Sequence, residues 1–201
     1  MRRKTLDALL TTGGFVLTAV LLVAGGLLLW ASNFVNDNVH SQLAEQRITM
    51  PAGAAISDPL IKPYLSQYAG QQMTTGAQAK AYADHYILVH MNKASGGKTY
   101  EEVSGEYMAL SKDKTADPAA VAALGQLRQT LFMGNTLRGL LLNAYAFGVM
   151  AAVAFWGAIA SFIGAGLFFI LSLLGIWHRR TVPAEQEVRI GRGAAAAPAV
   201  G

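Results

Sequence analysis

Two long runs free of Asp, Glu, Lys and Arg dominate the chain, one between Asp7 and Asp37 and one between Arg138 and Arg179. A hydrocarbon core takes about 20 apolar residues in a helix. The first run therefore holds one span and the second at least one. Gly139–His178 covers 40 residues, roughly 60 Å as a straight helix. A hairpin of two spans would need a turn, and no proline or polar cluster interrupts the run. Whether 137–178 is one long helix or two spans is left open by the pattern. Trp and Tyr collect at membrane interfaces. Trp156 and Trp177 are 21 residues apart, roughly 31 Å along a helix. This places transmembrane helix 2 at 156–177 and, with Trp30 at its outer end, transmembrane helix 1 at 9–31.

Between the spans the pattern changes to short helices with clear punctuation. Asn33 to Gln46 continues the first helix, which Pro51 ends. Asp58-Pro59 reads as an N-cap with proline at the first helical position, and Gly70 as a stop, with Pro63 disturbing the segment. Thr75-Gly-Ala-Gln78 and Thr99-Tyr-Glu-Glu102 fit capping boxes. The helices they open run to about Lys93 and Lys112. Asp117-Pro118 opens a last helix that continues into the second span. Tyr82, Tyr86 and Val89 form one apolar stripe, and Val103, Tyr107 and Leu110 another. No alternating strand pattern occurs. The fold class expected is an all-α membrane protein: two transmembrane helices flanking a small extracytoplasmic helical bundle, with a long C-terminal helix continuous with the second span. The expected divisions are a cytoplasmic N-terminus at 1–8, the extracytoplasmic domain at 32–155 with an apolar 137–155 stalk, and a cytoplasmic tail at 178–201. That tail ends in an Ala-, Gly- and Pro-rich stretch expected to be disordered.

Composition sharpens this picture. Hydrophobic residues make up 53% of the 201-residue chain and charged residues 14%, against about 25% in soluble domains. There is no cysteine. An ordinary cytosolic enzyme, a disulfide-stapled domain and a free nucleic-acid binder are excluded. The net charge of +4 sits beside the spans, because residues 33–138 carry nine basic and nine acidic side chains. Met1-Arg2-Arg3-Lys4 and His178-Arg179-Arg180 therefore put both termini in the cytoplasm of a multi-pass plasma-membrane protein by the positive-inside rule. The first apolar run is longer than the 7–15 residues of a signal peptide, and no small-x-small cleavage site follows it.

Candidate chemistry is sparse. Gly96-Gly97-Lys98-Thr99 resembles the end of a P-loop, but Asn92 stands where that loop needs glycine. It reads as a turn before a capped helix. His85 and His90 are the best candidate metal ligands, yet a spacing of five turns them about 140° apart on a helix, and zinc sites on one helix use a spacing of four. Glu101, Glu102 and Glu106 suit a helix start. No catalytic, cofactor or metal residues are assigned. The spans lack ionisable residues in their middles, which argues against transport by this chain alone. They do carry small residues. Gly157, Ser161 and Ala165 lie four apart, as do Ala160 and Gly164, with Gly25 and Gly26 in the first span. Such faces allow close helix packing, between this chain's own helices or with another protein. The apolar stretch from Leu140 to Phe155 needs a partner if it stands outside the hydrocarbon.

Trp30-Ala-Ser-Asn-Phe-Val35, Tyr64 through Tyr68-Ala-Gly70, Ala81-Tyr-Ala-Asp-His85 and Asn135-Thr-Leu-Arg-Gly-Leu-Leu-Leu-Asn-Ala-Tyr-Ala-Phe147 resemble a group of small, uncharacterised actinobacterial membrane proteins. The resemblance spans most of the chain from the first span to Arg180. Some members are labelled aromatic ring-opening dioxygenases, of which the extradiol type holds iron with two His and a carboxylate. No matching motif occurs here, so the resemblance implies an envelope protein and supplies no active site. The expected function is non-enzymatic: a structural or accessory subunit of a larger respiratory or envelope assembly. Its partners would be the lipid bilayer and another membrane protein or a homo-oligomer, with no nucleic acid and no cofactor. The alternative is an extracytoplasmic ligand-binding or sensory module acting through a partner.

Overall fold

No proline precedes Pro51, and the first helix, α1, runs unbroken over Arg3–Glu45. The computed structural model describes residues 3–181. Met1-Arg2 and the tail expected to be disordered lie outside them. The last helix, α6, is a single helix over Pro118–Thr181. Pro118 occupies its first position, where a missing N–H costs nothing, and the Asp117 carboxylate accepts from the Ala119 N–H at 3.0 Å. Residues 137–178 are thus one helix and not a hairpin.

Both helices are long and apolar enough to cross a membrane. The core helix of a soluble domain is mostly buried, whereas the most apolar window is 17% buried in α1 and 11% in α6. The chain divides into two compact units, one of Met1–Trp30 with Ala154–Gly201 and the other Ala31–Val153.

The first unit is a pair of antiparallel helix segments. Moving up α1, Thr11 meets Gly175, Gly14 meets Ser172, Leu21 meets Gly164, Gly25 meets Phe162 and Leu28 meets Gly157. The residues buried at this seam recur every seventh position: Thr11, Thr18 and Gly25 on α1, and Ala158, Ala165 and Ser172 on α6. A seven-residue repeat is what keeps one face of a helix turned toward its partner. Here the repeat is built from small side chains, so the backbones approach closely.

The second unit holds the short helices α2 (Lys62–Leu65), α3 (Gly76–Tyr82), α4 (Leu88–Ser95) and α5 (Tyr100–Leu110) against its parts of α1 and α6. Both predicted capping boxes form, at Thr75 with Gln78 and at Thr99 with Glu102. α4 stops at Gly96, which is left-handed at φ 65°, and Gly97 donates back to the Asn92 carbonyl at 2.8 Å. α1 ends at Glu45, six residues before the proline expected to end it. Arg47 turns left-handed at φ 53°, and the Gln72 amide caps the Ala44 carbonyl at 3.0 Å.

The helix expected from Asp58 to Gly70 is cut to one turn. Pro63 sits at its start, and a 3-10 turn over Ser66–Tyr68 follows. Asp58 closes the preceding turn instead, accepting from the Leu60 N–H at 2.8 Å. Among the described residues there is no strand, only a single bridge pairing Thr49 with Gln72. The core is centred on Met50, Ile61, Leu65 and Met73, all at 1% exposure or less. Each contributes about 1.5–3 kcal/mol by leaving water. A smaller cluster joins Met91, Val103 and Leu131.

Candidate functional site

The helix-packing residues read from the sequence separate into two groups. A Cβ at Gly157 would lie 3.3 Å from Leu28, one at Gly164 3.3 Å from Leu21, and one at Gly25 2.9 Å from the Phe162 ring. Ala165 is buried at 2% exposure, and its carbonyl lies 3.5 Å from the Thr18 hydroxyl, which also donates to the Gly14 carbonyl at 2.8 Å. These four pack inside the protein's own helix pair. Ser161 turns its hydroxyl back to the Gly157 carbonyl at 2.8 Å. Gly26 has nothing within 4 Å of a Cβ position. The proposed anchors Trp30, Trp156 and Trp177 are each 66% exposed.

At the end of this helix pair a cavity of about 450 Å³ is lined by Asp7, Thr11, Ser172 and His178 among others. Asp7 Oδ2 and Ser172 Oγ are buried there without a hydrogen-bond partner among the described residues.

The second unit contains a larger groove of about 650 Å³ between α1, α6 and the Tyr82–Ile87 segment. Val35, Leu43, Leu137, Leu140 and Phe147 supply apolar walls, and the carboxamides of Asn38, Gln42, Gln46 and Asn143 also line it. No Asp, Glu, Lys, Arg or His does so. Burial, with the neighbouring Tyr86, pushes the Tyr82 phenol above its ordinary value. It therefore stays neutral in the groove wall.

One polar network ties the Ala83–Ile87 turn to α6. Residues Ala83–Ile87 form a π-helical turn between α3 and α4. The Ala83 carbonyl accepts both the Leu88 N–H and, at 3.1 Å, Arg138 Nε. The same guanidinium donates to Asp84 Oδ1 at 3.1 Å, and Lys80 to Asp84 Oδ2 at 2.6 Å. Burial pushes the Asp84 carboxyl up, but hydrogen bonds and charge from Lys80 and Arg138 outweigh it and hold it below the ordinary value. Lys80 is raised, chiefly by its hydrogen bond to Asp84.

The remaining polar candidates have local partners. His85 stacks on Tyr64 with ring centroids 3.4 Å apart, and His90 Nδ1 lies 2.7 Å from the Tyr86 carbonyl oxygen. Among the described residues no three His, Asp or Glu side chains gather closely enough to hold a metal ion. Lys98, the basic residue of the P-loop-like stretch, pairs with Glu106 at 2.7 Å. Glu102 accepts from the Thr99 N–H at 2.7 Å, and that bond chiefly holds its carboxyl below the usual range. Arg128 lies over Tyr107 at 5.3 Å and Tyr100 at 5.9 Å and donates to the Ser104 hydroxyl at 3.0 Å.

Sequence reasoning missed the groove and the true seam. The seam had a signal: Thr11, Thr18 and Gly25, with Ala158, Ala165 and Ser172, are small residues repeating at seven. A spacing of four picks out only part of it. No family model, curated protein or solved structure matches the chain.

Proposed function

We propose that this chain is a non-enzymatic, two-span protein of the plasma membrane that serves as an accessory subunit of a larger assembly. The reading puts both termini in the cytoplasm and the Ala31–Val153 unit outside. One observation carries it. Met133, Met150 and Val153 of α6 are 54%, 61% and 68% exposed in that unit, large apolar side chains that water would not favour. The small residues of the spans support it further. They pack against each other, which leaves the outward faces of both helices to lipid or to a neighbour.

Purification of C-terminally tagged protein from native membranes in mild detergent, followed by light scattering, tests the proposal. The expected result is a complex of fixed stoichiometry that Met150→Lys with Val153→Lys dissolves while helix content is kept. A lone monomer, or a complex indifferent to those changes, would overturn it. The orientation has its own check in a chain without cysteine. Lys112→Cys labels with an impermeant thiol reagent in intact cells, and Arg180→Cys does not.

A further inference from the structure

We infer that the groove in the Ala31–Val153 unit is a binding site for one uncharged membrane lipid, an apolar chain carrying a neutral carbonyl- or hydroxyl-bearing head. The site does not depend on the accessory role, because Met133, Met150 and Val153 do not line it.

Volume and walls come first. About 650 Å³ lies within the roughly 300–1,000 Å³ of small-molecule sites. Phe34, Leu140 and Phe147 line it while 57%, 62% and 51% exposed. Filling the groove with water would keep that apolar surface hydrated, and a hydrocarbon chain would remove it. Phe34 follows Trp30 by one helical turn on α1, which makes the bilayer the natural source of the occupant.

The polar groups then select the head. Asn38, Gln42 and Gln46 recur every fourth residue, so they form one row, with Asn143 on α6 also in the lining. Gln42 Nε2 donates to Asn38 Oδ1 at 2.6 Å, which leaves the Asn38 amide hydrogens and the Gln42 oxygen for a ligand. Carboxamides offer donors and acceptors without charge. A phosphate or carboxylate head would find no cation in the lining. Arg138 and Lys80, each close in sequence to a lining position, are held by Asp84, and Arg47, between the lining residues Gln46 and Ile48, is not itself in the lining. Desolvating an anion without a counter-charge is costly, so uncharged heads are preferred over a fatty acid or a phospholipid.

The test is photolabelling of the full chain in nanodiscs. The probe is a monoacylglycerol carrying a diazirine in its acyl chain, with the matching fatty acid and lysophosphatidylcholine as comparators. The expected result is saturable labelling of peptides containing Phe34, Leu140 or Phe147, at least tenfold stronger for the monoacylglycerol. Ala144→Trp, which fills the groove, should reduce it tenfold. Leu140→Trp, at an exposed position, gives the same reading without disturbing the core. Gln42→Glu should also reduce labelling by the neutral probe while leaving the melting temperature unchanged. Equal labelling by all three heads, label spread evenly over both spans, persistence in both Trp variants, or crosslinks between two copies in place of lipid would each overturn the proposal.

Discussion

The backbone of Tyr145 passes so close to Gly76 that a Cβ at Gly76 would lie 2.9 Å from the Tyr145 Cα. The obstacle is main chain, which cannot rotate aside as a side chain does. Gly76 is the first residue of α3, directly after the Thr75 cap, so α3 docks on α6 through a glycine.

Gly76→Ala should therefore force the two helices apart. Overpacking of this kind costs about 1–3 kcal/mol. The measurement is thermal unfolding of the detergent-solubilised chain followed by circular dichroism. Gly105→Ala is the matched control, since Gly105 lies within α5 and nothing is within 4 Å of its Cβ position. It should leave stability unchanged or raise it by about 0.5–1 kcal/mol.

The Asp84 network predicts both limbs of a pH profile. A carboxyl held below its ordinary value of 3.8 stabilises the fold above that pH, and the contribution is lost as pH falls through the lower folded value. A lysine raised above 10.5 stabilises below that pH, and its contribution is lost as pH rises past it. Melting temperature should thus fall in strong acid and again in strong base. Asp84→Asn should flatten both limbs, because it removes the titrating acid and the partner that raises Lys80. Arg138→Met should cost about 1.5–3 kcal/mol at neutral pH, the range for hydrogen bonds to charged groups.

What could be read in advance follows from range. Thr75 with Gln78 and Thr99 with Glu102 satisfy backbone groups three residues away, so their chemistry is complete within the local sequence, and both boxes form. The π-helical turn at Ala83–Ile87 was not legible. Its Ala83 carbonyl accepts a second donor besides the Leu88 N–H, Arg138, 55 residues along the chain. Pro63 is a visible break in its segment, and α2 holds it at its start and lasts one turn. The groove needed tertiary structure altogether, because Asn38 and Asn143 line one cavity only when α1 and α6 pack.

Gly25 and Gly26 looked equivalent in the sequence and are not. A side chain at Gly25 enters the Phe162 ring, and one at Gly26 meets nothing within 4 Å. Gly25→Val should lower the melting temperature of the chain in detergent by several degrees, with Gly26→Val close to the parent. Equal effects would mean that the observed seam is not the one that forms.

The seam can also be locked. At Thr11 and Gly175 the Cβ positions are 3.6 Å apart, and at Gly14 and Ser172 they are 3.5 Å apart. A disulfide needs about 3.5–4.5 Å between Cβ atoms, and the chain has no cysteine to compete. Thr11→Cys with Gly175→Cys should therefore oxidise to an intramolecular bridge in membranes, seen as a faster-migrating band that reductant abolishes. Gly13→Cys with Gly175→Cys should not, since nothing lies within 4 Å of the Gly13 Cβ position. The result bears on more than register. A cleaved leader could not crosslink to α6, so a bridge formed in mature protein from native membranes would show that α1 stays as a permanent span. A parallel arrangement, or a seam set by the Gly157, Ser161 and Ala165 spacing alone, would leave the Thr11 and Gly175 pair reduced.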